Sequence, residues 1–394
     1  MFFKKNKELS IFKDAVFAVS GLAKADNDPS TINATIGSLC GEDGKIACFN
    51  SVYKCYDELT SAEKTAYAKS PCGNPDFREA ITKFVLEDKC NGEAVAVAGG
   101  TGGIALALDL CLNEDDTVII PEIAWGNYRQ MLVERNLKAL VYDPYDVEQL
   151  CTLIKENERP FVVINSPCEN PCGLSYNFDD WKKITKTLNE TKEAILLNDI
   201  AYIDYAYSPD YKDYLSLIGE MGEHVLTFVA ASCSKTFSYY GQRLGALIII
   251  NKNKEFVDLF INQCEKHIRT SYGSCNNGSM IAITNVLNNH FDEFKAELNE
   301  YRDLLRQRTE LFIKESNEVG LNLYPYNDGF FVTIKYDNEF RDKLHALLIE
   351  NHIYCVKVNK GIRVGLCSTP LDKVSGLAKK IKDSQLLVVE TTSL

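Results

Sequence analysis

The sequence predicts an α/β protein with a large domain over residues 46–288, built on a mostly parallel sheet flanked by helices. A smaller α+β domain is expected from residues 1–45 and 289–394. Three observations lead there. Short β-branched runs alternate with amphipathic stretches through the middle of the chain. Beyond residue 289 a long charged amphipathic stretch gives way to strand-like segments. The composition, 394 residues with 45% apolar and 25% charged, is that of a globular chain with sizeable cores.

The runs expected as strands are 94–98, 117–120, 139–142, 161–164, 194–197, 225–230 and 246–250. Between them, residues 147–157 put Leu150, Leu153 and Ile154 on one helical face. Residues 177–189 open on Asn177, with Asp179 and Asp180 in the first turn, where a helix favours negative charge. Such alternation builds a parallel sheet covered on both faces. Its ligands bind beyond the carboxyl ends of the strands. Further on, residues 289–318 and 341–350 read as helices, and 329–335, 353–358 and 362–366 as strands. The first 45 residues are expected to complete this smaller unit.

Charge and cysteine usage exclude several classes. Lys and Arg number 43 against 55 Asp and Glu, a net charge of −12, and no nucleic-acid partner is expected without a basic face. The longest strongly apolar run, 244–250, is far short of the about 20 residues a membrane helix needs. Fourteen cysteines lie scattered in apolar stretches with no Cys-x-x-Cys pair, which suits reduced core thiols in the cytoplasm. Cys168 and Cys172 lack a nearby His, and the five histidines show no ligand spacing, so no metal is expected. Lys4, Lys5 and Lys7 ahead of the apolar run 15–23 imitate a leader peptide. Lys13 and Asp14 beside that run, and Ser20 and Gly21 within it, point instead to a mature amphipathic segment.

Five strand ends carry chemistry. After the run 225–230 comes Ser232-Cys233-Ser234-Lys235, with Arg243 eight residues beyond the lysine. A Lys at a buried strand end is poorly solvated, which favours its neutral amine and condensation with an aldehyde. Arg243 could return to the same mouth and hold a phosphate through its fork, with Ser232 and Ser234 as further donors. A surface turn with two solvated cations is the alternative.

Gly99-Gly100-Thr101-Gly102-Gly103 sits between a strand and a helical pattern. Two readings compete. Gly100-x-Gly102-x-x-Ala105 fits a nicotinamide-cofactor fingerprint, and the same glycines make a cup for a single phosphate. Asn165-Ser166-Pro167-Cys168-Glu169-Asn170-Pro171-Cys172-Gly173 is a rigid loop in which Asn170 could donate to a ring oxygen. In Asn198-Asp199-Ile200-Ala201-Tyr202, a buried Asp199 needs a cationic partner, such as a protonated pyridine nitrogen, or else caps the following turn. Trp125, after the run 117–120, could stack on a flat ring or belong to the core.

Together these are the parts needed to hold pyridoxal 5′-phosphate. Lys235 takes the aldehyde, Asp199 the ring nitrogen, Asn170 and Tyr202 the phenolic oxygen, and Trp125 the ring face. Gly100, Thr101, Ser232 and Arg243 take the phosphate.

With those residues in hand, the chain resembles the class I pyridoxal-phosphate aminotransferases of fold type I, most of all the aspartate and aromatic subgroup. Ser-x-Ser-Lys with Arg243 eight residues on, following Asn170-Pro171-Cys172-Gly173 and Asp199-Ile200-Ala201-Tyr202, carries the resemblance. Ile32-Asn33-Ala34-Thr35-Ile36-Gly37 followed by Glu42-Asp43-Gly44-Lys45 is similar to that subgroup's opening.

The resemblance implies a ping-pong exchange of an amino group between an L-amino acid and a 2-oxo acid such as 2-oxoglutarate. Lys235 would act as base and then acid, with Asp199 and Tyr202 beside it. It implies that Gly37 and Arg363 lie at the substrate α-carboxylate. It also implies a homodimer in which Arg269 meets a distal carboxylate of the neighbouring site and Tyr67 reaches the neighbouring phosphate. Three departures stand out. Gly273-Ser274-Cys275-Asn276-Asn277 replaces Asn-Pro-Pro, Gly99 stands where Ser is common, and Cys172 replaces Thr. A lyase on the same scaffold, or a nicotinamide-dependent dehydrogenase, is the alternative activity.

Overall fold

The computed structural model describes residues 14–392, with side chains described through residue 390. Lys4, Lys5, Lys7 and Lys13 thus lie outside the described residues. A seven-stranded sheet forms the centre, in the order Glu93–Val97, Gly245–Ile250, Val225–Ser232, Ala194–Asp199, Phe161–Asn165, Thr117–Pro121, Lys138–Tyr142. Only Gly245–Ile250 runs against the rest; the other pairings between neighbours are parallel. Phe161–Asn165 and Ala194–Asp199 are buried along their whole length, which is why they read as unbroken apolar runs rather than alternating ones. Lys138–Tyr142 is an edge strand, and most of its side chains face water.

All seven expected strands are present. Two of them run two residues further than expected, to Asp199 and to Ser232. The polar side chains there read as a stop, yet the ladder continues through the pairs Asp199↔Ala230 and Ser232↔Gly245. This carries the chemistry-bearing residues to the sheet's rim.

Side chains alternate between two faces with the period of two that a strand imposes. Ile164, Leu196, Val229 and Ile248 pack on one face. Val163, Leu197, Phe228 and Ile249 pack on the other. Helices Gly99–Cys111 and Lys254–Ser271 cover the second face through Ile104, Leu108, Val257 and Ile268. Val147–Glu156 and Phe178–Asn189 lie on the first, burying Leu150, Ile154, Trp181 and Leu188. Asn177 and Asp180 close a reciprocal capping box at the start of Phe178–Asn189.

The remaining strands build a smaller layer. Val356–Val358, Gly361–Gly365 and Phe331–Lys335 form an antiparallel sheet, and Ile32–Asn33 pairs in parallel with Ile353–Tyr354. The expected strand over 353–358 is therefore two short ones, divided at Cys355 and paired in different sheets. Ile32, Phe312, Leu344, Ile362 and Ile381 share one core there. The helix Ala15–Ala25, capped by Asp14, packs on the same strands. The long helix Phe291–Val319 stops at Gly320, whose φ of +69° suits a residue without Cβ. From this helix the fully buried Arg308 donates to Glu42 and to the carbonyls of Cys40 and Cys367, at 2.9 and 3.1 Å. No helix among the described residues is long and apolar enough to cross a membrane.

Candidate active site

The strand Val225–Ser232 ends on Ser232, whose hydroxyl accepts the amide of Ser234 at 3.3 Å and so starts the short turn Cys233–Thr236. That turn aims Lys235 into the cleft. Its Nζ donates to the carbonyl of Gly37 and sits among aromatic rings, 4.9 Å from the centre of Tyr240, 5.4 Å from Tyr202 and 5.7 Å from Phe330. Burial pulls this amine down to about 8; the charges of Arg363 and Arg243 add to the effect and Cys367 opposes it. The neutral amine that condensation with an aldehyde requires is therefore far more accessible than in an ordinary lysine. Two partners fix the turn from behind. Tyr205 donates its hydroxyl to the Lys235 carbonyl at 3.0 Å, and Thr236 donates to buried Asp204 at 2.7 Å.

One strand over, Asp199 is 5% exposed. Its Oδ2 accepts the Tyr128 hydroxyl at 2.6 Å and its Oδ1 accepts the Ala201 amide at 3.1 Å. The carboxylate caps the following turn, and it is buried with no cation in ion-pair range among the described residues. Burial raises its pKa, against the lowering effect of the two donors. A group with this environment suits a cationic N–H.

Asn170 joins the next two groups. Its amide nitrogen donates to the Tyr202 hydroxyl at 3.3 Å, and its side-chain oxygen accepts Nη1 of Arg363 at 3.0 Å. Asn165 holds the loop in place, accepting the Asn170 backbone amide at 2.9 Å and donating to the Asp199 carbonyl at 2.8 Å. Arg363 comes from the strand Gly361–Gly365 of the smaller layer and is 4% exposed. It donates to the Thr35 carbonyl at 2.8 Å and lies 4.1 Å from the centre of the Phe331 ring. Its Nε has no partner, and no carboxylate lies in ion-pair range among the described residues. A buried guanidinium left this way is a receptor for an anion. Gly37 borders the same space: a Cβ there would come 3.1 Å from Phe331 and 3.6 Å from Lys235 Nζ.

The glycine segment opens the helix Gly99–Cys111, and its first-turn amides have no acceptor within the helix. Gly99 and Gly100 are buried and Thr101 half-buried beside them. Arg243 closes over Gly99 and donates to the Ser234 hydroxyl at 3.1 Å and to the Tyr240 carbonyl at 2.9 Å. A Cβ on Gly100 would meet the Ser232 side chain at 3.4 Å. Helix amides, hydroxyls and one guanidinium meet here, a set of donors that suits a single phosphate. The dinucleotide reading fails on topology. The preceding strand, Glu93–Val97, is the sheet's edge and pairs antiparallel with Gly245–Ile250, whereas that fingerprint follows a central parallel strand.

Trp125 is half-buried and meets Tyr128 edge-on, with ring centres 5.4 Å apart. Tyr67 and Arg269 behave differently. Tyr67 is 93% exposed, Arg269 is exposed near the end of Lys254–Ser271, and no described contact joins either to Lys235 within this chain. Sequence reasoning missed Tyr128, Asp204, Tyr205, Tyr240 and Phe331. Their local signals are those of packing residues.

The residues present fit pyridoxal phosphate: an amine of lowered pKa, a buried carboxylate lacking a cation, an amide–phenol pair, and a phosphate cup on one rim. Residues 29–381 match the family described as Aminotransferase class I and II. The chain belongs to that family. It is a pyridoxal-phosphate-dependent transaminase of fold type I, which sets aside the dehydrogenase alternative. Among its relatives, the aspartate aminotransferase of Pseudomonas aeruginosa is 25% identical over 387 residues, covering 92% of this chain and 94% of that one. The aromatic-amino-acid aminotransferase of Paracoccus denitrificans is 27% identical over 252 residues, 60% of this chain and 63% of its own. An aminotransferase structure from Anaerococcus prevotii superposes with a TM-score of 0.91 at 25% identity, covering 98% of this chain and 99% of that chain. The aromatic-amino-acid aminotransferase of Burkholderia pseudomallei, covalently bound to pyridoxal phosphate, shares the fold at a TM-score of 0.81 and 22% identity, covering 96% and 98%.

Proposed function

We propose that this transaminase takes the amino group of aspartate or an aromatic L-amino acid and passes it to a 2-oxo acid such as 2-oxoglutarate. The observation that carries the reading is Arg363, a buried guanidinium with a free Nε, joined through Asn170 to Tyr202 beside Lys235. Its natural partner is the α-carboxylate that every such substrate carries. The names of the relatives, aspartate and aromatic-amino-acid aminotransferases, support the choice of amino donor.

When bound, pyridoxal phosphate supplies an electron sink that stabilises negative charge at the substrate α-carbon. The chain does the rest. Gly99, Gly100, Thr101, Ser232, Ser234 and Arg243 hold the phosphate, and Trp125 covers the ring. Asp199 keeps the ring nitrogen charged, while Asn170 and Tyr202 hold the phenolic oxygen. Arg363, with Gly37 leaving room, fixes the carboxylate and thereby which α-bond faces the reacting direction. Lys235 Nζ would accept the α-proton as the amine and, as the ammonium, would deliver it to the former aldehyde carbon of the cofactor. Because both half-reactions use one site, donor and acceptor follow ping-pong kinetics.

The outward-facing Tyr67 and Arg269 support a homodimer in which each chain lends them to its neighbour's site. Residues 46–288 would then form the cofactor-bearing domain, and 1–45 with 289–394 the smaller one. Fourteen unpaired cysteines support a reducing, cytoplasmic setting. The test is a panel of dicarboxylic and aromatic donors against 2-oxoglutarate, repeated with Arg269→Ala. Loss confined to dicarboxylic donors is expected. Equal rates on all donors in both proteins would remove Arg269 from the substrate site.

A further inference from the structure

Tyr128 lies outside every motif described above, yet it touches two of the groups assigned to the cofactor. Its hydroxyl donates to Asp199 Oδ2 at 2.6 Å, and its ring meets Trp125 edge-on at 84°. It is 2% exposed and is the second residue of the helix Asn127–Glu134. The only other donor to the Asp199 carboxylate among the described hydrogen bonds is the Ala201 amide, on the opposite oxygen.

We propose that Tyr128 is a positioning residue that sets how strongly Asp199 holds the proton of the cofactor's ring nitrogen. The inference rests on the reading of Asp199 as that nitrogen's partner. A pyridinium and a buried carboxylate share one proton, and in a dry site it can rest on either. Donation from Tyr128 stabilises the carboxylate form and so leaves the proton on nitrogen. Without the phenol, Asp199 becomes the better base and draws the proton toward its oxygen. The phenol itself stays protonated and able to donate, because burial and the adjacent Asp199 both raise its pKa. Through its edge-on contact the same side chain also holds the indole of Trp125. One residue thus aligns the carboxylate at the ring's nitrogen with the indole assigned to its face.

The test uses the holoenzyme loaded with pyridoxal phosphate carrying nitrogen-15 in its ring. In the native protein the nitrogen resonance is expected at the protonated position. Tyr128→Phe should move it toward the unprotonated position and weaken cofactor binding by about tenfold or more. Replacement of Tyr128 by 3-fluorotyrosine, nearly the same size and a stronger donor, should hold the resonance at the protonated position. It should also tighten binding, which guards against a phenylalanine variant that fails to fold. An unchanged resonance and affinity in Tyr128→Phe would overturn the inference, as would a fluorotyrosine protein that behaves like Tyr128→Phe. A native protein whose ring nitrogen is unprotonated would overturn the Asp199 reading itself, a result distinguishable from the failure of Tyr128 alone.

Discussion

A Cβ placed on Gly99 would lie 2.6 Å from Nη2 of Arg243, and Gly99 has a φ of +71°. Arg243, itself at a φ of +51°, therefore occupies the space a side chain at 99 would fill. The two are fitted to one another, so a phosphate held by Arg243 would depend on Gly99 as well.

Gly99→Ala tests that dependence. The left-handed backbone should cost roughly 1–2 kcal/mol of stability, and the methyl should push Arg243 out of place. A thermal melt and equilibrium dialysis against pyridoxal phosphate are expected to show a lower midpoint and about tenfold weaker retention. Unchanged retention would mean that Arg243 does not serve the phosphate.

Thr236→Val keeps the shape of the turn but removes the 2.7 Å donor to Asp204. The remaining described side-chain donor to that carboxylate is Tyr211, at 3.4 Å. Denaturant unfolding should show a loss of about 1–3 kcal/mol, and kcat should fall as the turn bearing Lys235 loosens. Native kcat with a normal melt would show that Tyr205 alone fixes the turn.

Arg363→Lys replaces a fork with a point charge. The lysine cannot serve both the Asn170 oxygen and the Thr35 carbonyl while presenting two parallel donors to a carboxylate. Steady-state kinetics should show kcat/KM down by about a hundredfold, with raised KM for amino and oxo acids alike. An unchanged KM would remove Arg363 from the substrate site.

Capture of the cofactor should follow the protonation of Lys235. The folded chain releases this proton at about 8, against an ordinary 10.5. The rate at which cofactor-free protein takes up pyridoxal phosphate should therefore rise through pH 8 and then level. The same difference gives a sign for stability. The unfolded chain holds the extra proton between the two values, so this lysine's penalty on folding is full below 8 and fades as pH rises toward 10.5. A capture midpoint near 10.5, read by stopped-flow absorbance, would contradict the lowered amine.

Much of this site is legible in the sequence because its members stand at strand ends. The buried runs mark the strands, and Lys235, Asp199 and Asn170 follow them directly. Tyr128 is not legible: it sits in an ordinary amphipathic helix, and only the folded sheet brings its hydroxyl to Asp199. Phe331 reads as one more apolar strand residue, though its ring stacks under Arg363. Asp204 looks like a turn former until the turn of Lys235 packs on it. Tyr67 and Arg269 are exposed, and no described contact within the chain joins either to Lys235. The split strand at Cys355 was hidden because its two halves share one apolar pattern while pairing in separate sheets.

The most direct test of the central claim is reduction of the cofactor-saturated protein with borohydride, followed by peptide mapping. The account predicts one pyridoxyl group per chain, carried on Lys235. A saturated protein in which Lys235 is unmodified, or another lysine carries the group, would contradict it.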